Sequence, residues 1–265
     1  MTEAADPTTR RDGAGREVAA EPSGVAADPD RPSVFSPPPG LAATGDPDLD
    51  RRLAAIHAAD DELRETVLDR RTVHRSGYLA VEADTVRLGD GAIRPRDIVV
   101  HPGAVVILAL DEAAQVLFVR QYRLAAGRAL LELPAGTLDR HPDGTVEDPA
   151  VAAPRELEEE TGYRAERWRR LGGFWTAPGF ATEFMTLFLA TGLRPAHHAD
   201  RLHPDEDERL ELVRLPWPDA RRAAEAGAFE DAKTLLGLLW LARLEATGAL
   251  ERPDDGSAAE GRPSD

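Results

Sequence analysis

The chain has 265 residues, enough for one substantial domain or two small ones, and 42% of them are hydrophobic, so a core is within reach. It has no cysteine, which excludes disulfides, thiolate metal sites and a cysteine nucleophile. A net charge of −16 argues against passive binding to nucleic acid, and no run of about 18 apolar residues is available to span a membrane.

The N-terminus lacks the apolar stretch of a secretory signal, so the expected location is cytoplasmic. Residues 1–47 read as a disordered tail. They hold eight prolines among Asp, Glu, Ala and Gly, with only Val18, Val25, Val34, Phe35 and Leu41 as larger apolar side chains. That is too little burial to offset the entropy of ordering the backbone. The spacing of Leu49, Leu53, Ile56, Leu63 and Val67 is weakly helical and is assigned to a lead-in helix over 48–64.

Residues 65–100 read as a small antiparallel β subdomain. Segments 78–81 and 85–88 are two short strands divided by polar residues. Gly89-Asp90-Gly91 marks a hairpin turn, and Ile98-Val99-Val100 follows as a strand. Segment 104–110 is nearly all apolar and predicts a buried strand. A second core strand is expected at 116–119, and a short one at 130–133, stopped by Pro134. The pattern turns helical from 149 to 161 and closes on Gly162, a residue suited to a left-handed helix end. Strands at 184–190 and 210–215 and helices at 218–226 and 231–247 complete the series. The last helix is leucine-rich and is expected to pack on the sheet. Residues 250–265 read as a second polar, disordered tail. The fold class is therefore α+β: a three-layer α/β/α sandwich around a mixed sheet over 101–249, preceded by the small β subdomain.

The most informative segment is EDPAVAAPRELEEETG, residues 147–162. On a helix, Glu156, Glu159 and Glu160 at i, i+3 and i+4 share one face within a turn. Three like charges so close repel, and a divalent cation removes that cost. Clustered oxygen ligands suit Mg²⁺ or Mn²⁺ rather than zinc. Leu157 anchors another face of the helix on the core, and Arg155 is placed to tether a carboxylate bidentately. The competing reading is a solvated charged helix face.

Gly136, Glu147 and Arg155-Glu156-Leu157-Glu158-Glu159-Glu160-Thr161-Gly162-Tyr163 resemble the Nudix box, whose form is Gly, five residues, Glu, seven residues, Arg-Glu-apolar-any-Glu-Glu-any-Gly-apolar. The second half matches at every constrained position. The first half departs: ten residues, Thr137 to Val146, stand where the family has five. Pro154 is a second departure, expected to kink the helix or delay its start. Further segments resemble the ADP-ribose pyrophosphatase branch. They are Arg70-Arg71-Thr72-Val73-His74, the stretch from Arg96-Asp97 to Ala104-Val105, and Val119-Arg120-Gln121-Tyr122-Arg123. Leu131-Glu132-Leu133-Pro134-Ala135-Gly136, Ala177-Pro178-Gly179-Phe180-Ala181-Thr182-Glu183 and Asp231-Ala232-Lys233-Thr234-Leu235 complete the set.

The resemblance implies a fold, an activity and a set of roles. Glu156, Glu160 and the carbonyl of Ala135 are expected to ligate Mg²⁺, with Mn²⁺ as an alternative. Glu159 is a third ligand, a residue behind the ligands, or a base. Within the acidic loop Asp205-Glu206-Asp207-Glu208, Glu206 is the candidate general base and Glu208 a further ligand. Arg96, Asp97, Arg123, Arg128 and Glu183 are candidate substrate contacts. Gly136, Glu147, Arg155 and Gly162 are structural within the box. Tyr122 and Phe180 are assigned to packing, with stacking on a base as the alternative, and His101 to an ordinary loop position.

The implied reaction is Mg²⁺-dependent hydrolysis of the diphosphate of ADP-ribose, or a related ADP-sugar, to AMP and a sugar phosphate. The implied partners are a small nucleotide sugar and a second copy of the chain, with the β subdomain as dimerisation element, and neither nucleic acid nor membrane. The alternatives are another nucleoside diphosphate sugar and a non-catalytic domain that senses such nucleotides.

Overall fold

The computed structural model describes residues 10–11, 17–18, 44–58, 63–197, 202 and 209–250. The remainder of both predicted tails lies outside the described residues. Two short strands, β1 (Arg10–Arg11) and β2 (Glu17–Val18), pair antiparallel. Helix α1 spans Pro47–Ala58, with Asp46 accepting from the backbone of Asp48 and Leu49 at its start (2.9 and 3.2 Å).

Strands β3 (Thr66–Arg75), β4 (Ala80–Arg87) and β5 (Ile93–Val100) form a three-stranded antiparallel sheet in chain order. The turn between β4 and β5 carries Gly91 at φ +84°, where the glycine signal puts it. β4 is one strand, although the hydropathy pattern divides it at Glu82 and Asp84. Both acids are buried on the same face as Ala80 and Val86, opposite Arg70 on β3. Arg70 reaches Asp84 at 2.7 Å and Glu82 at 3.2 Å. Buried carboxylates are tolerable when paired this way, and that pairing cannot be seen in a local window. β3 starts well before the first strand residues the pattern suggests. It is an exposed edge with irregularities near Leu68 and Val73, so it shows little alternation.

The main sheet holds β6 (Ala104–Leu110), β7 (Gln115–Arg123), β8 (Arg128–Glu132), β9 (Ala135–Thr137), β10 (Tyr163–Trp175), β11 (Phe184–Pro195) and β12 (Glu211–Pro216). Its order is β10-β11-β6-β7-β12, with β8 on β7 and β9 on β6. β11 runs parallel to β6 and the other pairings are antiparallel, so the sheet is mixed.

Three helices cover it: α2 (Pro149–Thr161), α3 (Trp217–Glu225) and α4 (Ala232–Ala246). Alternate residues of β6 face opposite layers. Val105, Ile107 and Ala109 pack with Ala152, Ala153 and Leu157 of α2. Val106, Leu108 and Leu110 pack with Trp217, Leu238 and Leu241 of α3 and α4. Burial on both faces explains the uninterrupted apolar run of β6. Each large side chain so buried contributes roughly 1.5–3 kcal/mol.

β10 has no counterpart in the sequence reading. Its segment YRAERWRRLGGFW is arginine-rich, pairs among the described residues only with β11, and shifts register between Arg170 and Gly172. An edge strand with a shifted register loses the two-residue period that would reveal it.

β6 and β7 pair only at Leu110 and Val116, and then part. β7 takes β8 as neighbour and β6 takes β9, while the chain crosses the gap at Leu133 and Pro134. Ile107 donates its backbone N–H to the Pro134 carbonyl at 2.8 Å. The split delivers Ala135 and Gly136 to the side of the sheet covered by α2.

Candidate active site

α2 begins at Pro149, with Asp148 as cap: its carboxylate accepts from the Ala150 N–H at 2.8 Å. It ends on Gly162, in the left-handed region at φ +71°, whose N–H reaches the Glu158 carbonyl at 2.8 Å. Pro154 lies inside the helix and does not delay its start; it removes the bond that an N–H there would make to Ala150. Leu157, Ala152 and Ala153 fix the buried face, so the rotation of the helix is set by packing. Glu156, Glu159 and Glu160 then lie toward the β9 side, the first and last of them buried.

Two contacts join that face to β9. The Ala135 N–H donates to Glu160 Oε2 at 2.9 Å. Gly136 packs directly on Glu156: a Cβ there would lie 1.8 Å from the Glu156 carboxyl carbon and 2.1 Å from each of its oxygens. Only glycine allows the carboxylate to sit where it does.

Arg155 gathers the acids. It reaches Glu147 Oε2 at 2.8 Å, Glu156 Oε1 at 2.8 Å and Glu159 Oε2 at 2.9 Å. Burial alone pulls its pKa down, but the hydrogen bond to Glu147 and the charges of Glu156, Glu147 and Glu159 more than reverse this, and it stays protonated. For Glu147, burial pushes the carboxyl up, and the hydrogen bonds from Arg155 and the Asp139 N–H outweigh it, leaving the group below the usual carboxylate range.

The long stretch between Gly136 and Glu147 folds back on itself. Arg140 pairs with Val146 as an isolated bridge, and the His141 N–H donates to the Thr145 carbonyl at 2.9 Å. The Glu147 N–H reaches the Asp139 carbonyl at 2.8 Å, and the Asp139 N–H reaches Glu147 Oε2 at 3.1 Å. The additional residues thus form a small closed hairpin that returns the chain to Glu147, leaving Arg155 its partner.

A second charged group lies at the split in the sheet. Glu132, at the end of β8, is 1% exposed. Arg123 holds it in a parallel fork, with both bonds at 2.8 Å, and Lys233 donates to Glu132 Oε2. Burial pushes the Glu132 carboxyl up, but the bonds and charges of Arg123 and Lys233 outweigh it and hold the group below the usual range. Lys233 and Asp231 of this group are absent from the candidate residues of the sequence reading. The signals were available: Lys233 is the sole lysine, and Glu132 interrupts an apolar strand.

The remaining candidates divide. Arg96 is paired with Glu65, Nε to Oε2 at 2.9 Å, and Asp97 is exposed beside it on β5. Arg128 is ion-paired with Glu230. Glu183 accepts from Thr176 Oγ1 at 2.6 Å and faces His101 Nε2 at 3.6 Å. His101 is a buried residue: its Nδ1 accepts from the Gly103 N–H at 3.0 Å, and burial lowers its pKa against the opposing charge of Glu183. Tyr122 and Phe180 are 62% and 57% exposed, so the packing assigned to them is not found. Tyr122 lies beyond the buried stretch 116–119 of β7, and Phe180 lies in the loop between β10 and β11. Glu206 and Glu208, with Asp205 and Asp207, lie outside the described residues.

The donor types suit a hard divalent cation: carboxylate oxygens at i and i+4 beside a cradle at Gly136 that carries no side chain. Among the described residues no three acidic or histidine groups already converge on one point. In this arrangement Glu156 and Glu159 are turned to Arg155, and Glu160 to the Ala135 N–H. Also among the described residues, no helix is long and apolar enough to cross a membrane.

Comparison with known proteins identifies the family. Residues 100–237 match the NUDIX domain model. The chain is 35% identical over 187 residues to an ADP-ribose pyrophosphatase of Bacillus subtilis (strain 168), covering 71% of this chain and 97% of that protein. It is 36% identical over 182 residues to a methanol dehydrogenase activator of Bacillus methanolicus, covering 69% and 95%. A solved structure described as an ADP compounds hydrolase superposes with a TM-score of 0.59 at 26% identity, covering 71% of this chain and 98% of that one. With a family model spanning more than half its length and relatives of this similarity covered almost end to end, the chain belongs to the NUDIX family, as a homologue of its ADP-ribose pyrophosphatases.

Proposed function

We propose that the protein hydrolyses the diphosphate linkage of ADP-ribose, or a closely related ADP-sugar, to AMP and a sugar phosphate. Within its family the chain is a hydrolase of nucleoside diphosphate-linked compounds, and the adenine and the ribose are proposed in addition. Support for them comes from the ADP-ribose pyrophosphatase and the ADP compounds hydrolase among the similar proteins. The observation that carries the hydrolase chemistry is the Glu156–Glu159–Glu160 face of α2, held against Ala135 and Gly136 and organised by Arg155.

Glu156, Glu160 and the Ala135 carbonyl would hold Mg²⁺ or Mn²⁺, with Glu208 as a further ligand. When bound, the cation supplies charge neutralisation for the diphosphate and makes water more acidic. The chain's own residues supply the rest. Arg155 keeps the carboxylates together. Arg123, clamped by Glu132, offers a fixed guanidinium to the anionic linkage. Arg96, Asp97, Arg128 and Glu183 are assigned to substrate, Arg96 and Asp97 on the β subdomain through which two copies would associate. Water attacks one phosphorus in line and the bridging P–O bond breaks. Glu206 or Glu159 takes the proton from that water.

The test is a panel of nucleoside diphosphate compounds incubated with Mg²⁺ or Mn²⁺, with products resolved by chromatography. AMP and ribose 5-phosphate from ADP-ribose, formed faster than products from GDP- or UDP-sugars, is the expected result. A preference for another base replaces the ADP-ribose reading, and no hydrolysis of any member overturns it.

A further inference from the structure

Lys233 stands apart in this sequence. It is the only lysine in a chain whose other basic residues are all arginine, and it is buried rather than on the surface. It lies in the first turn of α4, whose cap is Asp231. Its ammonium donates to Glu132 Oε2 and, at 3.0 Å, to Asp231 Oδ1. Asp231 Oδ2 also accepts from the N–H of Thr234 at 3.0 Å and from its hydroxyl at 2.6 Å, and Thr234 Oγ1 in turn accepts from the Leu133 N–H at 2.8 Å. The start of α4 is therefore stitched to the point where the chain crosses the split sheet, just before Ala135.

Two cations and two anions balance within this group. Arg123 and Lys233 face Glu132 and Asp231. Arg123 is its exposed end, with a side chain 43% exposed, while Glu132 is almost fully enclosed. The Arg123 guanidinium also feels the charge of Glu160 on α2. A carboxylate gripped by the arginine fork alone can pivot about its own bond, and the fork pivots with it. An ammonium fixed on one oxygen stops that motion. A point-like donor does this without occupying the edge that the planar fork needs, which a second guanidinium would contest.

We propose that Lys233 is a positioning residue for the reaction: by holding Glu132, it fixes the plane in which Arg123 is presented to the diphosphate. The proposal rests on the reading of Arg123 as a diphosphate contact. Lys233 itself touches no substrate.

The experiment uses the full chain. In K233M, the KM for ADP-ribose rises about tenfold while kcat stays within about threefold, because a contact made equally before and during the reaction is weakened. K233M/R123M binds no more weakly than R123M alone, because the lysine acts only through that arginine. The Arg123 Nε–H resonance, identified by its loss in R123K, shifts or broadens in K233M. The chain has no cysteine, so K233C carries a unique thiol. Its aminoethylation restores the ammonium, and with it KM and the resonance, even if K233M folds poorly.

An unchanged Arg123 resonance in K233M, or additive effects of K233M and R123M on KM, overturns the proposal. So does aminoethylated K233C that behaves like K233M. A responsive resonance in a protein that hydrolyses no nucleoside diphosphate sugar supports the coupling and overturns the function on which it was placed.

Discussion

Gly136→Ala separates a structural requirement from a catalytic one. The added Cβ would fall 1.8 Å from the Glu156 carboxyl carbon, whereas ordinary contact begins near 3.4 Å, so the carboxylate must retreat by about 1.6 Å. The obstacle is the far end of a flexible side chain, so the protein can yield. Driving Glu156 off its rotamer costs about 0.5–1.5 kcal/mol, and loosening its pair with Arg155 adds at most about 1 kcal/mol. For a chain of this size that is a fall in Tm of roughly 1–10 °C. A misplacement of about 1 Å at a reacting centre costs roughly 100-fold in rate. The expected outcome is therefore a folded protein with turnover down by about two orders of magnitude. Calorimetry and steady-state hydrolysis of ADP-ribose on the same preparation decide it. Near-normal turnover with a normal Tm would show that the position of Glu156 is irrelevant to the chemistry, and the site as described would fail.

Three further outcomes follow from named contacts. Glu160→Gln should lower kcat by about 10²–10³ at nearly unchanged Tm, since the amide oxygen can still accept from the Ala135 N–H while the charge is lost; unaltered turnover removes Glu160 from the ligand set. Arg155→Met leaves Glu147 buried without its cation, and should destabilise by about 2 kcal/mol or more in urea denaturation as well as reduce turnover; equal Cm values for mutant and parent contradict the tethering role. Glu132 has its pKa depressed below its ordinary value of 4.5 in the folded protein. Its contribution to stability is thus complete above that value and is lost as pH falls through the lower folded pKa. Cm measured from pH 7 to 3 should drop below pH 4.5 more steeply for the parent than for Glu132→Gln, and matching curves would dissociate Glu132 from the acid limb.

What could be read from the sequence follows from the range over which each signal acts. The carboxylate face of α2 is set by spacing within one turn, so Glu156, Glu159 and Glu160 could be grouped from the linear order alone. β6 was equally plain, because burial on both faces writes itself as an unbroken apolar run. The hairpin at 139–147 could be counted as additional residues but not drawn, since its closure depends on bonds between Asp139 and Glu147 across the turn. β10 and most of β3 escaped because edge strands carry irregularities and few obligate apolar positions. The unity of β4 escaped because Glu82 and Asp84 look like solvent-facing breaks until Arg70 is placed opposite them. The Glu132–Lys233 pair joins residues a hundred positions apart, and nothing local announces it beyond the rarity of lysine in this chain.

In the proposed mechanism one turn of α2 and the loop beside it bind a hard cation against a diphosphate. Crystals grown with Mn²⁺ and a non-hydrolysable ADP-ribose analogue test it directly by anomalous scattering. The expected result is a manganese peak about 2.0–2.3 Å from oxygens of Glu156, Glu160 and the Ala135 carbonyl. A fully occupied nucleotide with no manganese at those oxygens, the acids still bound to Arg155 and the Ala135 N–H, would contradict it.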